Sequence, residues 1–103
     1  MIAKQFMKTK PLCKATFTLP VDIAPEAETV QILGEFNDWN PAEAPVMKKQ
    51  KNGFFKAVLK LEIGKEYQFR YLVDGETWMN DQEADKYVAS EFGTENGVIS
   101  TLN

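Results

Sequence analysis

Glu66-Tyr67-Gln68-Phe69-Arg70-Tyr71-Leu72-Val73-Asp74-Gly75 is the stretch on which the fold turns. Tyr67, Phe69, Tyr71 and Val73 alternate with Gln68, Arg70 and Leu72, so an extended chain puts four bulky apolar side chains on one face. β-branched and aromatic residues favour that pleated, half-buried surface. Asp74-Gly75 then predicts a hairpin, because both central positions of a type I′ turn require positive φ.

The same alternation recurs on either side. Leu12 to Leu19 places Cys13, Ala15, Phe17 and Leu19 on one face and Lys14, Thr16 and Thr18 on the other. Thr29 to Gly34 is a second strand, and Phe54 to Leu61 a third with Phe55, Ala57 and Leu59 together. Past the hairpin, Thr77 to Asn80 reads as a short return strand and Val98 to Leu102 as a closing one. Pro20, Pro25, Pro41, Pro45, Asn52-Gly53 and Gly64 punctuate the intervals. Asp81 to Gly97 is polar and reads as loop. A helical turn is expected only within Pro41 to Lys49 and Glu83 to Tyr87. Short strands separated by turn signals predict an all-β sandwich of about seven strands. Residues 1–11 are expected to be an N-terminal extension and 12–103 the domain.

A chain of 103 residues, 44% of them hydrophobic, makes one domain with one core. Cys13 has no second cysteine to pair with. It reads as a small buried hydrophobe in a reducing compartment. The N-terminal residues lack the apolar run of a signal peptide, and no stretch is long enough to span a bilayer. A cytoplasmic protein with no membrane partner is the expectation. Twelve basic against 15 acidic residues leave a net charge of −3, and Lys48, Lys49 and Lys51 form only a short basic run. Nucleic acid is therefore not the expected partner.

Catalysis has little to work with. The chain contains no histidine, which removes the commonest general base and zinc ligand. Glycoside hydrolysis needs a carboxylate pair flanking a sugar in a cleft. Glu35, Asp38, Asp74, Glu76, Asp81, Glu83 and Asp85 are available, but a small sandwich offers little depth. Asp81, Glu83 and Asp85 have the spacing that opens a calcium loop. Lys86 stands at its glycine position and Phe92 at its bidentate glutamate, so a solvated acidic loop is expected. No metal or cofactor is called for.

Two tryptophans remain in places that core packing does not demand. Trp39 lies in Gly34-Glu35-Phe36-Asn37-Asp38-Trp39-Asn40, a loop entered from a strand, and Trp78 follows the Asp74-Gly75 turn. Arg70 lies on the polar face of the strand leading to that turn. They converge if that strand neighbours Thr29 to Gly34. An indole face stacks on the C–H face of a glucose ring, and arginine or amide groups satisfy the hydroxyl fringe. The competing expectation is a pair of core tryptophans.

The stretch Val30 to Asn40 resembles the opening motif of family 48 carbohydrate-binding modules. These include the N-terminal domains of isoamylases and glycogen-branching enzymes and the glycogen-binding domain of the AMP-activated kinase β subunit. Gly64 to Trp78 is similar to the family's second motif, and Phe92-Gly93-Thr94-Glu95-Asn96-Gly97-Val98-Ile99 to its third. The resemblance covers about residues 12–102 and is to the short, free-standing bacterial members. It implies an immunoglobulin-like early set sandwich that binds α-glucan without catalysis, in support of glycogen-metabolising enzymes. A protein-interaction module on the same fold is the alternative.

By motif position the resemblance implies that Trp39 and Trp78 stack on sugar and that Arg70 stands where a basic residue, usually lysine, contacts it. It also implies that Phe92 inserts against the sugar and that Thr94 and Asn96 make polar contacts. One departure matters. Glu76 and Thr77 separate Gly75 from Trp78 where the kinase-type domain has one residue. A shift of one turns a strand residue to the opposite face unless the turn absorbs it.

Overall fold

The computed structural model describes residues 2–20, 27–90 and 93–102. These residues form two antiparallel sheets packed as an immunoglobulin-like sandwich. The first sheet contains β1 (Ile2–Phe6), β2 (Leu12–Leu19), β4 (Lys48–Lys49) and β5 (Phe55–Glu62) in the order β1-β2-β5-β4. The second contains β3 (Val30–Gly34), β6 (Glu66–Val73), β8 (Lys86–Ala89) and β9 (Glu95–Ser100) in the order β3-β6-β9-β8. The short β7 (Thr77–Met79) also pairs with β6.

The core lies between the sheets. Phe17 and Ala15 from β2, Ile32 from β3, Phe69 and Tyr71 from β6 and Ile99 from β9 are fully buried there. Their rings meet edge to face, with Phe17 and Phe69 5.3 Å apart between centroids and Phe69 and Tyr71 5.8 Å apart. The alternations over β2 and β6 thus hold residue by residue. Cys13 is buried, and desolvation pushes its thiol pKa up.

Three expectations change. Ile2–Phe6 is the edge strand of the first sheet, in register with Phe17 to Cys13. Its inward Lys4 spans to the other sheet, where Nζ lies 2.7 Å from Asp85 Oδ2 and donates to the Ser100 carbonyl at 2.9 Å. A strand whose central inward residue is a lysine gives no apolar alternation, so its pattern is not readable as a strand. Second, Lys86–Ala89 is a strand, not a loop or helical turn, because it pairs with Ala89↔Glu95 through Lys86↔Val98. That pairing also starts β9 three residues before the expected Val98. Third, Asp81 is not solvated: it is 1% exposed and accepts the Tyr71 hydroxyl at 2.6 Å and the Glu83 N–H at 2.7 Å. Tyr87 donates its hydroxyl to the Asp81 carbonyl. A buried carboxylate is tolerated when hydrogen bonds replace its water.

Candidate carbohydrate-binding site

The site occupies the outer face of the second sheet. β3 pairs with β6 from Val30↔Val73 to Gly34↔Phe69, which sets the end of β3 beside the polar face of β6. Gly34 is required there: a Cβ would stand 2.5 Å from the Gln68 carbonyl oxygen and 2.8 Å from Phe69 Cβ. A single 3₁₀ turn, Glu35–Asn37, follows. The Glu35 carboxylate extends the ladder by accepting the Gln68 N–H at 2.7 Å. Asn37 pins the turn back onto β3, accepting from Gly34 N at 3.1 Å and donating to the Ile32 carbonyl at 3.0 Å. Phe36 packs against the core, its ring 6.4 Å from Phe17.

This turn ends in two successive left-handed residues, Asp38 at φ 54° and Trp39 at φ 57°. Positive φ is uncommon for a bulky side chain and costs on the order of 1–3 kcal/mol. The conformation is held by Trp39 N–H donating to the Gly34 carbonyl at 3.0 Å. The indole rests on a small apolar cluster of Leu33, Ala44 and Leu72. Trp39 is half-buried: its back is supported and part of its surface faces solvent.

Trp78 reaches the same place from the hairpin. Asp74 (φ 52°) and Gly75 (φ 70°) are both left-handed, as a type I′ turn requires, and Glu76 N–H donates to the Val73 carbonyl at 3.0 Å. Yet Val73 pairs with Thr77, so the loop holds three residues and Glu76 is the extra one. The turn absorbs it. Trp78 consequently stands opposite Leu72, on the outer face with Arg70, and is 42% exposed. Asp74 fixes this turn against the start of β3, its carboxylate accepting the backbone N–H groups of Glu28 and Thr29, both at 2.8 Å. Those bonds, Thr29's first, hold its pKa below the ordinary aspartate value.

The two indoles meet at 6.4 Å between centroids with planes inclined at 60°. The Arg70 guanidinium carbon lies 5.7 Å from the Trp78 ring, a cation–π contact that holds the cation beside the aromatic surface. Its Nε is buried and has no hydrogen-bond partner among the described residues. Beyond Arg70, Asn96 donates to Gln68 Oε1 at 3.0 Å. At the β8–β9 turn, Ser90 and Thr94 hydroxyls share a 2.9 Å bond. Trp39, Gln68, Arg70, Trp78, Ala89, Ser90, Thr94 and Asn96 line one open groove of about 770 Å³.

Five of the six residues singled out from the sequence therefore come together in this groove. The sixth, Phe92, lies outside the described residues. Gln68 was legible as a neighbour of Arg70 on the same face of β6 but was not singled out. Ala89 and Ser90 were missed because β8 was. Several carboxylates are committed to backbone: Glu35 to Gln68, Asp74 to Glu28 and Thr29, Asp81 to Glu83, and Asp85 to Ser100.

A shallow surface with two inclined indoles, a guanidinium and a fringe of amides and hydroxyls suits a ligand with apolar faces and a hydroxyl edge. No curated protein matches the chain. Residues 19–102, however, match the family described as the glycogen recognition site of AMP-activated protein kinase. With more than half its length matched, the chain belongs to that family of glycogen-recognition carbohydrate-binding domains.

Proposed function

We propose that the groove binds the α-1,4-linked chain of a glycogen- or starch-type glucan, without catalysis, with Trp39 and Trp78 stacking on neighbouring glucose units along its curve. The observation that carries this is the convergence of both indoles, inclined at 60°, on one solvent-facing groove with Arg70 and Asn96. A curved helical chain offers its sugar faces at changing angles, and inclined platforms follow it where coplanar ones do not. Arg70, oriented by Trp78, donates to sugar hydroxyls, and its planar fork directs these bonds more narrowly than a lysine would. Asn96, Gln68, Thr94 and Ser90 complete the polar rim.

The strained backbone at Asp38 and Trp39 supports the same role. Left-handed strain at a bulky residue persists where surrounding bonds enforce it, and such residues cluster at ligand sites. Binding of this kind would bring a glycogen-metabolising enzyme, cytoplasmic like the glucan, to its polymer.

Affinity electrophoresis through glycogen tests the proposal. The wild type should be retarded, and Trp39→Ala should lose at least about tenfold in affinity, equivalent to ~1.4 kcal/mol. A wild-type protein that runs unretarded through glycogen, amylopectin and amylose alike would overturn it.

A further inference from the structure

The outer face of the first sheet, on the opposite side of the sandwich from the groove, carries a charge pattern that glucan binding does not use. Along β2 and β5 the outward residues are Leu12, Lys14, Thr16 and Thr18, and Lys56, Val58, Lys60 and Glu62. Lys14 stands directly opposite Lys60, and Lys48 of β4 directly opposite Lys56. All four lysines are exposed, and none has an ion-pair partner among the described residues. The one carboxylate on these strands' outer face, Glu62, is taken by Lys65 at 2.6 Å.

Like charges directly opposite on a sheet are destabilising. Edge lysines discourage strand-to-strand aggregation, which accounts for Lys48 on the edge strand β4. It does not account for Lys14 and Lys60, which face each other across β2 and β5 in the middle of the sheet. Two lysine–lysine pairs on one face of a chain with net charge −3 are a local reversal of the molecule's field.

We propose that this lysine face is a docking surface for an acidic protein surface, engaged while the opposite face holds glucan. Between the lysine pairs lie Thr16 and Val58, in register, with Val58 46% exposed, and Ala3 beside Thr16 on β1. A small neutral centre that can be dried, rimmed by charge, is the anatomy of a protein–protein contact. The outward residues of β2 and β5 themselves include no aromatic ring on which a base or a sugar could stack. A second copy docked face to face would set lysine against lysine. Strands about 4.8 Å apart and at most eight residues long, at about 3.3 Å each, give no more than roughly 500 Å². That is below the ~800 Å² per partner of a stable complex, so the contact is weak, fast and salt-sensitive.

Labelled poly-L-glutamate is the probe, followed by fluorescence anisotropy at low and near-physiological salt. Wild type should bind at low salt and weaken as salt rises. The triple variant Lys14→Gln/Lys56→Gln/Lys60→Gln should weaken binding at least about tenfold. Lys8→Gln/Lys10→Gln/Lys51→Gln, with the same change in net charge but in the β1–β2 and β4–β5 connections and not on the paired strands, should weaken it much less. The face variant should melt no lower than wild type, because it relieves like-charge pairs, and its retardation by glycogen should be unchanged. Absence of binding, equal loss in the two variants, or tighter binding of duplex DNA than of poly-L-glutamate would each overturn the proposal. Because the glycogen readout is independent, failure here leaves the glucan proposal standing, and the reverse.

Discussion

The two outer faces of this sandwich are built on opposite terms. On the β3-β6 face the polar groups that shape the groove are committed, with Arg70 Nε the exception. Glu35 bonds Gln68 N–H, Asn37 bonds β3 twice, Asp74 bonds two backbone amides, and Asn96 bonds Gln68. On the β2-β5 face the lysines have no such partners among the described residues, and the strand pairing sets them against one another. A groove that must hold two aromatic planes at a fixed angle needs its supports locked, since loose side chains would lose freedom on binding. A face that meets a partner through long-range charge needs no fixed geometry, only sign and exposure.

The strongest way to break this contrast is to disturb one face and then the other. Gly34→Val should destabilise the protein by about 3 kcal/mol or more and abolish retardation by glycogen, because no side chain fits against the Gln68 carbonyl and Phe69 Cβ. Thr16→Val, on the lysine face, should stay within about 0.5 kcal/mol of wild type and bind glycogen normally. Denaturant unfolding with m-values compared gives both numbers. Similar losses from the two substitutions would mean that the faces are not built differently.

A smaller effect comes from the buried link beneath the groove. Burial first, and then the Asp81 carboxylate, push the Tyr71 hydroxyl pKa far above its ordinary value. A raised folded pKa gives stability that is complete below the unfolded value, near pH 10, and declines above it. From this group the decline is ~1.4 kcal/mol per pH unit. Tyr71→Phe should remove that alkaline slope while costing about 1–3 kcal/mol at neutral pH, because Asp81 loses a bond inside the protein. Unfolding midpoints from pH 8 to 11 would show it. An unchanged alkaline slope in the variant would contradict the assignment.

The sequence made much of this legible, and where it failed the reason is physical. β2 and β6 were readable because apolar side chains alternate without interruption, and alternation is what one buried face demands. β1 was not, because its central inward residue is Lys4, whose Asp85 partner lies 81 residues away. β8 sits in an acidic stretch and owes its existence to pairing with β9, a tertiary fact. With β8 went Ala89 and Ser90. Trp39 was legible from its loop. The facing of Trp78 was not, since it depends on whether one extra residue enters the strand or the turn, and only the Val73↔Thr77 pairing decides that.

The same turn supplies the smallest expected effect and links the groove to pH. Asp74 is exposed, yet its carboxylate clips Glu28 and Thr29 N–H and so fixes the hairpin that carries Trp78. Its pKa is lowered in the folded state, so its contribution is present above the unfolded aspartate value, near pH 4, and is lost as pH falls through the folded one. Glycogen affinity should therefore be flat from pH 8 to 5 and weaken below pH 4. Asp74→Asn keeps one acceptor oxygen but no charge, and it should weaken binding slightly at neutral pH and flatten the acid decline. Its global stability should barely move, because the turn lies at the surface. If Asp74→Asn weakens Lys-face binding of poly-L-glutamate as much as it weakens glycogen binding, the two faces are coupled through the sandwich. If only glycogen responds, the locked face and the charged face are independent, as their separate hydrogen-bond networks require.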